Sequence, residues 1–551
     1  MALVQGSRYV LAVIGTLFTA VALPCDPDAG VDGPRYREAL RVAVERLRYS
    51  DDVTRATTDL HASRLVAEFY ERRGFLPAWR NDLKISTLIA AVEDTYADGL
   101  DPADYHLQRI EDQYTRLGIE RGPEAWAAFE LQLTDALISL VHHQRFGKAD
   151  PLSQHATWNY RGRGDEPDTL ELVERAMSAP SLRKFLGDTI RRGSYYNRLR
   201  GALASYRHIL AAGAWPTIAG GQYLDYGTVD ERVAALATRL AITGDLDDAE
   251  PYATATSMDG NLQDAVRRFQ QRHGLDTDGV VGPATIRALN VPVEKRIEQL
   301  RLTLERARWV LDSNRDNFVV VNIAGFRAYV VANRQVIWES RVVVGKAQQQ
   351  TPVFRDELQH VVFNPSWTVP YSIATREMLP EIKAQPDWFA TRDFELRDLS
   401  GILVDPSSVD WRGVTPGSFK YILVQRPGPN NALGQIKFAF PNDHAVYLHD
   451  TPARDLFGSA ERAFSHGCIR VENPLELAEI LLAPDGWDRA QIAGAIANQQ
   501  TATVFLSRPL PILLLYWTAN VMPDGVVHFY PDVYNRDPGI ARALDGPFHI
   551  E

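Results

Sequence analysis

Ser465-His466-Gly467-Cys468-Ile469-Arg470-Val471-Glu472-Asn473-Pro474 places a lone cysteine at the head of a short β-branched run. The run from Cys468 to Val471 reads as a strand. The only other cysteine, Cys25, lies far away in sequence, and two cysteines build no disulfide framework. A buried small hydrophobe is the commonest fate of such a residue. The Ser-His-Gly flank argues for a nucleophile instead. A thiol is mostly protonated at neutral pH and needs an imidazole within hydrogen-bond reach. That imidazole needs an acceptor on its other nitrogen to fix its tautomer. A tetrahedral intermediate needs N–H donors for its oxyanion, and Gly467 lets the backbone approach and supply one. Two histidines can serve as the base. His449 closes the upstream run Ala445-Val446-Tyr447-Leu448-His449-Asp450, from which a neighbouring strand would reach the thiol. His466 stands two residues before Cys468, on the same face of an extended segment. Spacing alone leaves that choice open. A zinc site built from His444, His449, His466 and Cys468 lacks zinc-finger spacing and any Cys-x-x-Cys, so no metal is expected.

Around this stretch the chain reads as a mostly antiparallel β domain. Strands are expected at Phe318–Ile323, Ala328–Ala332, Val336–Val344, His360–Phe363, Ala445–His449, Cys468–Val471, Thr503–Leu506, Ile512–Trp517 and Val526–Tyr530, with Asp524-Gly525 joining the last two as a hairpin. A helical, proline-containing segment, about 372 to 420, interrupts the domain. Insertions of that length are lids or binding elements rather than slack loop.

Towards the N-terminus the periodicity turns helical. Residues 35 to about 215 carry stripes such as Leu40, Val44 and Leu47, then Leu65, Val66, Phe69 and Tyr70 before Gly74. Trp126, Phe129, Leu133, Leu137 and Leu140 form a third stripe; Tyr196, Leu199, Leu203 and Tyr206 form a fourth. The stretch 211–226, with Gly213, Pro216, Gly220 and Gly221, reads as a linker. From 228 to 291 follows a unit of three short helices, the last opened by Gly282-Pro283. So small a core suits a binding module better than a catalyst. A further helix, about 293 to 312, leads into the β domain. The fold class is thus multidomain α+β. At the extreme N-terminus, Arg8, the apolar run Tyr9–Leu23 and Ala20-Val21-Ala22 predict a cleaved signal peptide over 1–22 and a periplasmic or secreted protein. The position of Pro24 before Cys25 argues against lipidation.

Composition excludes several classes. The 551 residues are 45% apolar and 23% charged, ordinary values for globular domains. The net charge is −11 and no basic block occurs, which disfavours nucleic acid and anionic membrane as partners.

His449, fifteen intervening residues and then Ser465-His466-Gly467-Cys468 resembles the signature of the YkuD-type L,D-transpeptidase domain. Val320-Val321-Asn322-Ile323, Thr351-Pro352, Asn364-Pro365-Ser366-Trp367 and Leu515-Tyr516-Trp517-Thr518-Ala519 resemble its large multidomain subgroup, called YcbB. Ala265-Val266-Arg267-Arg268-Phe269-Gln270, with Gly274-Leu275 and Asp278-Gly279-Val280-Val281-Gly282, is similar to the helical peptidoglycan-binding domain. Phe69-Tyr70, Gly74-Phe75, Pro77-Ala78-Trp79 and Gly99-Leu100-Asp101-Pro102 look like the subgroup's scaffold domain. The resemblance implies a scaffold over 35–227, a peptidoglycan-binding domain over 228–291, a helical linker over 292–314, and a catalytic domain over 315–537 with a substrate cap at 372–420. A C-terminal tail, 538–551, would follow.

The resemblance also implies a chemistry. Cys468 would attack the carbonyl of the third residue, diaminopimelate, in a tetrapeptide stem. D-alanine would leave and a thioester form. The side-chain amine of an acceptor diaminopimelate would then resolve it into a 3→3 cross-link, with no cofactor. By motif position Cys468 is the nucleophile, His449 the base, and the Asp450 carbonyl its orienter. The Gly467 and Cys468 N–H groups would form the oxyanion hole, His466 would be a structural and substrate-side residue near the thiol, and Ser465 would complete the orienting set. Arg470, Tyr447, Asn364, Trp367 and Tyr371 are the candidate substrate contacts, Arg470 for a carboxylate. The cap would keep water from the acyl-enzyme. Two alternatives stand beside this: an L,D-carboxypeptidase or a hydrolase of cross-links or wall–protein links, using the same Cys468 and His449 with water as acceptor, and a non-catalytic wall-binding protein.

Overall fold

The computed structural model describes residues 33–49, 60–117, 122–159, 168–189, 193–310, 316–385 and 387–550. The expected signal peptide and Cys25 lie outside them. The N-terminal helices form as their stripes predict, because each presents one apolar face. The longest, Pro123–Phe146, starts on proline at its first turn and buries Phe129, Leu133, Leu137 and Leu140. It also buries two carboxylates, and both serve loop backbone. Glu130 accepts from the Tyr70 hydroxyl and from the N–H groups of Ala78 and Trp79. Asp135 accepts from the N–H groups of His61 and Ala62 and bonds His106. Buried carboxylates satisfied this way hold chain crossings in place.

The small unit has its three helices at Val233–Ile242, Gly260–Arg272 and Pro283–Leu289. Leu236, Leu240, Leu262, Val266 and Phe269 fill its core. The preceding stretch is less of a linker than expected. Ile218 and Leu224 are buried in the same core, Leu224 bridges Val281, and the Ile218 N–H donates to Asn290. The region 292–314 also departs from a linker. Its helix, Val293–Val310, buries Leu300 and every residue from Leu302 to Trp309. Apolar side chains on several faces turn a connector into a strut between the scaffold helices and the β domain.

The β domain comprises β1 (Phe318–Asn322), β2 (Arg327–Ala332), β3 (Gln335–Gly345), β4 (Phe354–Phe363), β5 (Trp367–Thr368), β6 (Phe394–Asp398), β7 (Leu403–Val404), β8 (Tyr421–Gln425), β9 (Ile436–Ala439), β10 (Leu448–His449), β11 (Ala463–Ser465), β12 (Ile469–Val471), β13 (Ala502–Leu515), β14 (Ala519–Val521) and β15 (Val527–Phe529). The main sheet runs β11-β3-β12-β10-β9-β4-β13-β1-β2, and β2 also pairs with β3, so the sheet closes on itself. Most pairs are antiparallel; β1–β13, β10–β12 and β3–β11 are parallel. The expected strands Thr503–Leu506 and Ile512–Trp517 are one continuous β13 with a register shift between Phe505 and Leu510, next to Pro509. A proline cannot donate to the ladder, and a bulge accommodates it. Asp524-Gly525 closes a hairpin between β14 and β15, not between β15 and the end of β13.

The insertion is not wholly helical. Helical turns at Tyr371–Ile373, Ala374–Met378, Leu379–Ala384 and Trp388–Thr391 pack on a four-stranded sheet, β5-β8-β6-β7. Leu379, Ile382, Trp388, Leu396, Phe419 and Leu423 give it a core of its own. Nor do the last residues trail as a tail. A helix, Asp537–Asp545, leads to Phe548, whose ring lies 4.3 Å from both His61 and His143, and the Ile550 N–H donates to the His61 carbonyl at 2.9 Å. The C-terminus thereby clasps the scaffold.

Candidate active site

Strand β10 lies between β9 and β12. The register sets His449 opposite Lys437 on one side and Arg470 on the other. Leu448 is set opposite Phe438 and Ile469, and all three are fully buried in the core. Alternation therefore turns Lys437, His449 and Arg470 to the opposite face as a row across three strands. Tyr447 and Cys468, two residues earlier on their segments, lie on that same face. The Ile469 N–H to Tyr447 carbonyl bond, 3.0 Å, keeps them side by side.

The turn before Cys468 is braced from within. Gly467 has φ 116°, a conformation that costs any other residue strain. Ser465 Oγ accepts from the Gly467 N–H at 3.1 Å and donates to the Cys468 carbonyl at 2.5 Å. Thr351 Oγ1 donates to the Gly467 carbonyl at 2.9 Å. The Gly467 N–H is thus occupied by Ser465 and does not face an oxyanion, which corrects the expectation for that donor. Ser465 holds the turn.

The Cys468 thiol donates towards the Ala445 carbonyl at 3.7 Å, from a residue whose φ of 53° is left-handed. The N–H and the hydroxyl of Tyr447 face the sulfur and favour its ionised form. The Tyr447 hydroxyl also meets the Trp367 side chain, and Lys437 Nζ lies 4.0 Å from the Tyr447 ring centre. Burial pushes the Cys468 thiol up; the Tyr447 donors, Lys437 and Arg470 oppose that rise. His449 is 4% exposed. Its Nδ1 donates to the Asp450 carbonyl at 2.5 Å, which fixes the tautomer and leaves Nε2 as the basic nitrogen. Burial first, then the Arg470 charge, lowers its pKa to about 3. The resting imidazole is neutral.

The remaining candidates divide. His466 reaches the cap: its Nε2 bonds Glu377 Oε1 at 2.6 Å. Trp367 lies on β5 where chain enters the cap, 6.3 Å from the Phe394 ring, and joins the cap to Tyr447. Tyr371 is 56% exposed and belongs to the cap itself, its hydroxyl donating to the Pro416 carbonyl. Asn364 does not line the groove. It is 5% exposed, and its amide donates to the carbonyls of Ala495, Ile496 and Gln500, which ties the end of β4 to a covering helix. The Asp450 side chain likewise turns away, to the Gln435 N–H and Arg454. His444 packs edge-on against Phe354, its ring centre 4.9 Å away. Among the described residues no three His, Cys, Asp or Glu side chains gather as a metal site. Lys437 and Glu377 escaped the sequence reading. A single lysine in the apolar alternation Ile436-Lys437-Phe438-Ala439 was the available signal for the first; Glu377 had none.

Three stretches of the chain match known domain families. Residues 316–492 match the YkuD family, described as the L,D-transpeptidase catalytic domain. Residues 64–203 match a scaffold domain, and 229–289 a provisionally described peptidoglycan-binding domain. A Haemophilus influenzae protein provisionally named L,D-transpeptidase is 35% identical over 246 residues, 45% of this chain and 49% of that protein. The chain spans about half the length of that curated relative. Among solved structures, the L,D-transpeptidase (residues 123–326) of Xylanimonas cellulosilytica covers 54% of this chain and 99% of its own, at 16% identity and a TM-score of 0.17, too loose a superposition to bear on the fold.

Proposed function

We propose that this chain, which carries a YkuD-type L,D-transpeptidase catalytic domain and a peptidoglycan-binding domain, forms 3→3 cross-links in peptidoglycan through a Cys468 thioester. The observation that supports it is the shared face of β9, β10 and β12 and of the residues just before β10 and β12, which gathers a thiol, a tautomer-fixed imidazole and a tyrosine hydroxyl.

The Cys468 sulfur attacks the carbonyl carbon of the third stem residue, and the thiol proton passes to His449 Nε2. The tetrahedral oxyanion is met by the Cys468 N–H and the Tyr447 hydroxyl. Collapse breaks the peptide bond; His449 returns the proton to the departing D-alanine amine, leaving a thioester. An acceptor diaminopimelate amine then adds to the thioester, loses a proton to His449, and expels the thiolate. Arg470 and Lys437 offer positive charge to the groove. The cap, held over the turn by Glu377 and His466, keeps water from the thioester so that an amine resolves it. Such a substrate places the enzyme in the cell envelope. Among the described residues no helix is long and apolar enough to cross a membrane.

The test is mass spectrometry of purified disaccharide-tetrapeptide after incubation with the protein. A 3→3 dimer with free D-alanine is the expected product. An acyl-enzyme adduct should appear on the Cys468 peptide, and Cys468→Ala should form neither. Shortened monomer without dimer would make the protein an L,D-carboxypeptidase. Turnover by Cys468→Ala would reject the cysteine mechanism.

A further inference from the structure

The positive charge beside Cys468 has no acid set against it. Lys437 and Arg470 flank His449 on the same face, one on each neighbouring strand. Among the described residues neither cation has a carboxylate partner, and Arg470 Nε is buried without a hydrogen bond. The nearby acids are engaged elsewhere: Asp450 with Gln435 and Arg454, Glu472 with Arg341, Glu377 with His466. Two half-buried cations without counter-ions are costly unless something negative joins them.

The row also limits what His449 can do at rest. Protonating it would set three positive charges side by side on adjacent strands, and like charges directly opposite one another are destabilising. A thiolate–imidazolium pair is therefore a poor resting state here. The ionised sulfur then needs a counter-charge other than His449.

We propose that Lys437 is a positioning residue for the nucleophile: with Arg470 it forms a fixed cationic bracket that stabilises the Cys468 thiolate. The inference rests on the reading of Cys468 as nucleophile. In the free protein ionisation breaks the S–H bond and releases the proton to bulk water, the electron pair staying on sulfur; in turnover the bracket stabilises the same sulfur charge while the proton passes to His449. Lys437 acts partly through Tyr447, whose ring it covers at 4.0 Å and whose N–H and hydroxyl face the sulfur and favour its ionised form. The charged and titratable groups facing the thiol are Lys437 on β9, Tyr447 just before β10, His449 on β10, Arg470 on β12, and the His466–Glu377 pair from the turn and the cap.

The experiment measures alkylation of the full chain by iodoacetamide, a neutral reagent, from pH 5 to 11, read as the mass of the Cys468 peptide. No stem peptide is present, so the outcome is independent of donor and acceptor. Lys437→Met should raise the apparent thiol pKa by about one unit and slow alkylation near pH 7 about tenfold, since a unit is a tenfold change in thiolate. Lys437→Arg should restore the wild-type profile to within about twofold. Lys437→Gln, a second neutral variant, should shift in the same direction as Met. Superimposed profiles for wild type and both neutral variants would overturn the proposal. So would an equal shift in Lys437→Arg, which would mark a packing role. An unchanged profile with weakened donor binding would assign Lys437 to a substrate carboxylate instead, and would also overturn it. Inactivity of the wild type towards stem peptides, with the alkylation shifts present, would reject the transpeptidase reading alone.

Discussion

Gly434 shows how narrowly the base is positioned. Its φ is 60°, and a methyl group there would run into the Asp450 side chain. Asp450 supplies the carbonyl that holds His449 Nδ1. Gly434→Ala therefore combines a left-handed strain with a clash transmitted to the imidazole. It should cost about 1–3 kcal/mol of stability and lower D-alanine release about tenfold or more, measured by thermal denaturation and by product mass. Unchanged release would mean that His449 does not depend on the Asp450 carbonyl. At Gly467, by contrast, the added methyl meets no close neighbour, and only the φ of 116° opposes it. The same residues show what a linear reading can see. Tyr447, His449, Cys468 and Arg470 fall on one face because strand alternation is a property of sequence. The roles of Gly467 and Asn364 were invisible. The first depends on which acceptor its N–H finds, the second on carbonyls of residues 495, 496 and 500.

The cap is an element with its own core, joined to the catalytic turn by few side chains. Trp388, Leu396 and Leu423 hold it together; the Glu377–His466 bond reaches across to the turn. Both partners of that bond are partly exposed, so its net worth is small, about 1 kcal/mol or less. Glu377→Ala should leave the melting temperature within about 2 °C of wild type. It should instead speed amide exchange over 371–384 several-fold while β12 exchanges unchanged. Equal exchange in both proteins would show that the cap stays closed without this bond. The helical half of the cap was legible because prolines and helix formers cluster there. Its strands were not. β6 and β8 each bury only one or two of five residues, so their alternation is shallow. β5 and β7 are two residues each and carry no period. The fusion of two expected strands into β13 has a related cause: Pro509 and Pro511 look like breakers, yet a bulge lets the ladder pass them.

Across the whole molecule, the helix Val293–Val310 decides whether scaffold and catalytic domain behave as one body. From sequence it reads as a helical linker. In the structure its charged residues are the joint. Glu305 accepts from the Ala149 N–H at 2.7 Å and pairs with Arg308. Arg308 donates to the Asp98 carbonyl at 3.0 Å and the Tyr196 hydroxyl at 2.8 Å. On the other side Thr303 and Gln299 reach the carbonyls of Ala519, Thr518 and Tyr530. Glu305 and Arg308 are almost wholly buried. Removing one leaves the other uncompensated in a poorly solvated site, a loss of about 3–5 kcal/mol. The exposed pair Lys295–Glu298 on the same helix provides the control, because exposed pairs contribute about 0–1 kcal/mol. Glu305→Ala should lower the melting temperature by about 5–10 °C, whereas Glu298→Ala should move it by less than about 2 °C. If the strut couples the two domains, calorimetry of Glu305→Ala should also split one transition into two, with the scaffold melting first. A single transition at the wild-type temperature would show that the clasp of Phe548 and Ile550 on the scaffold suffices to join the two domains.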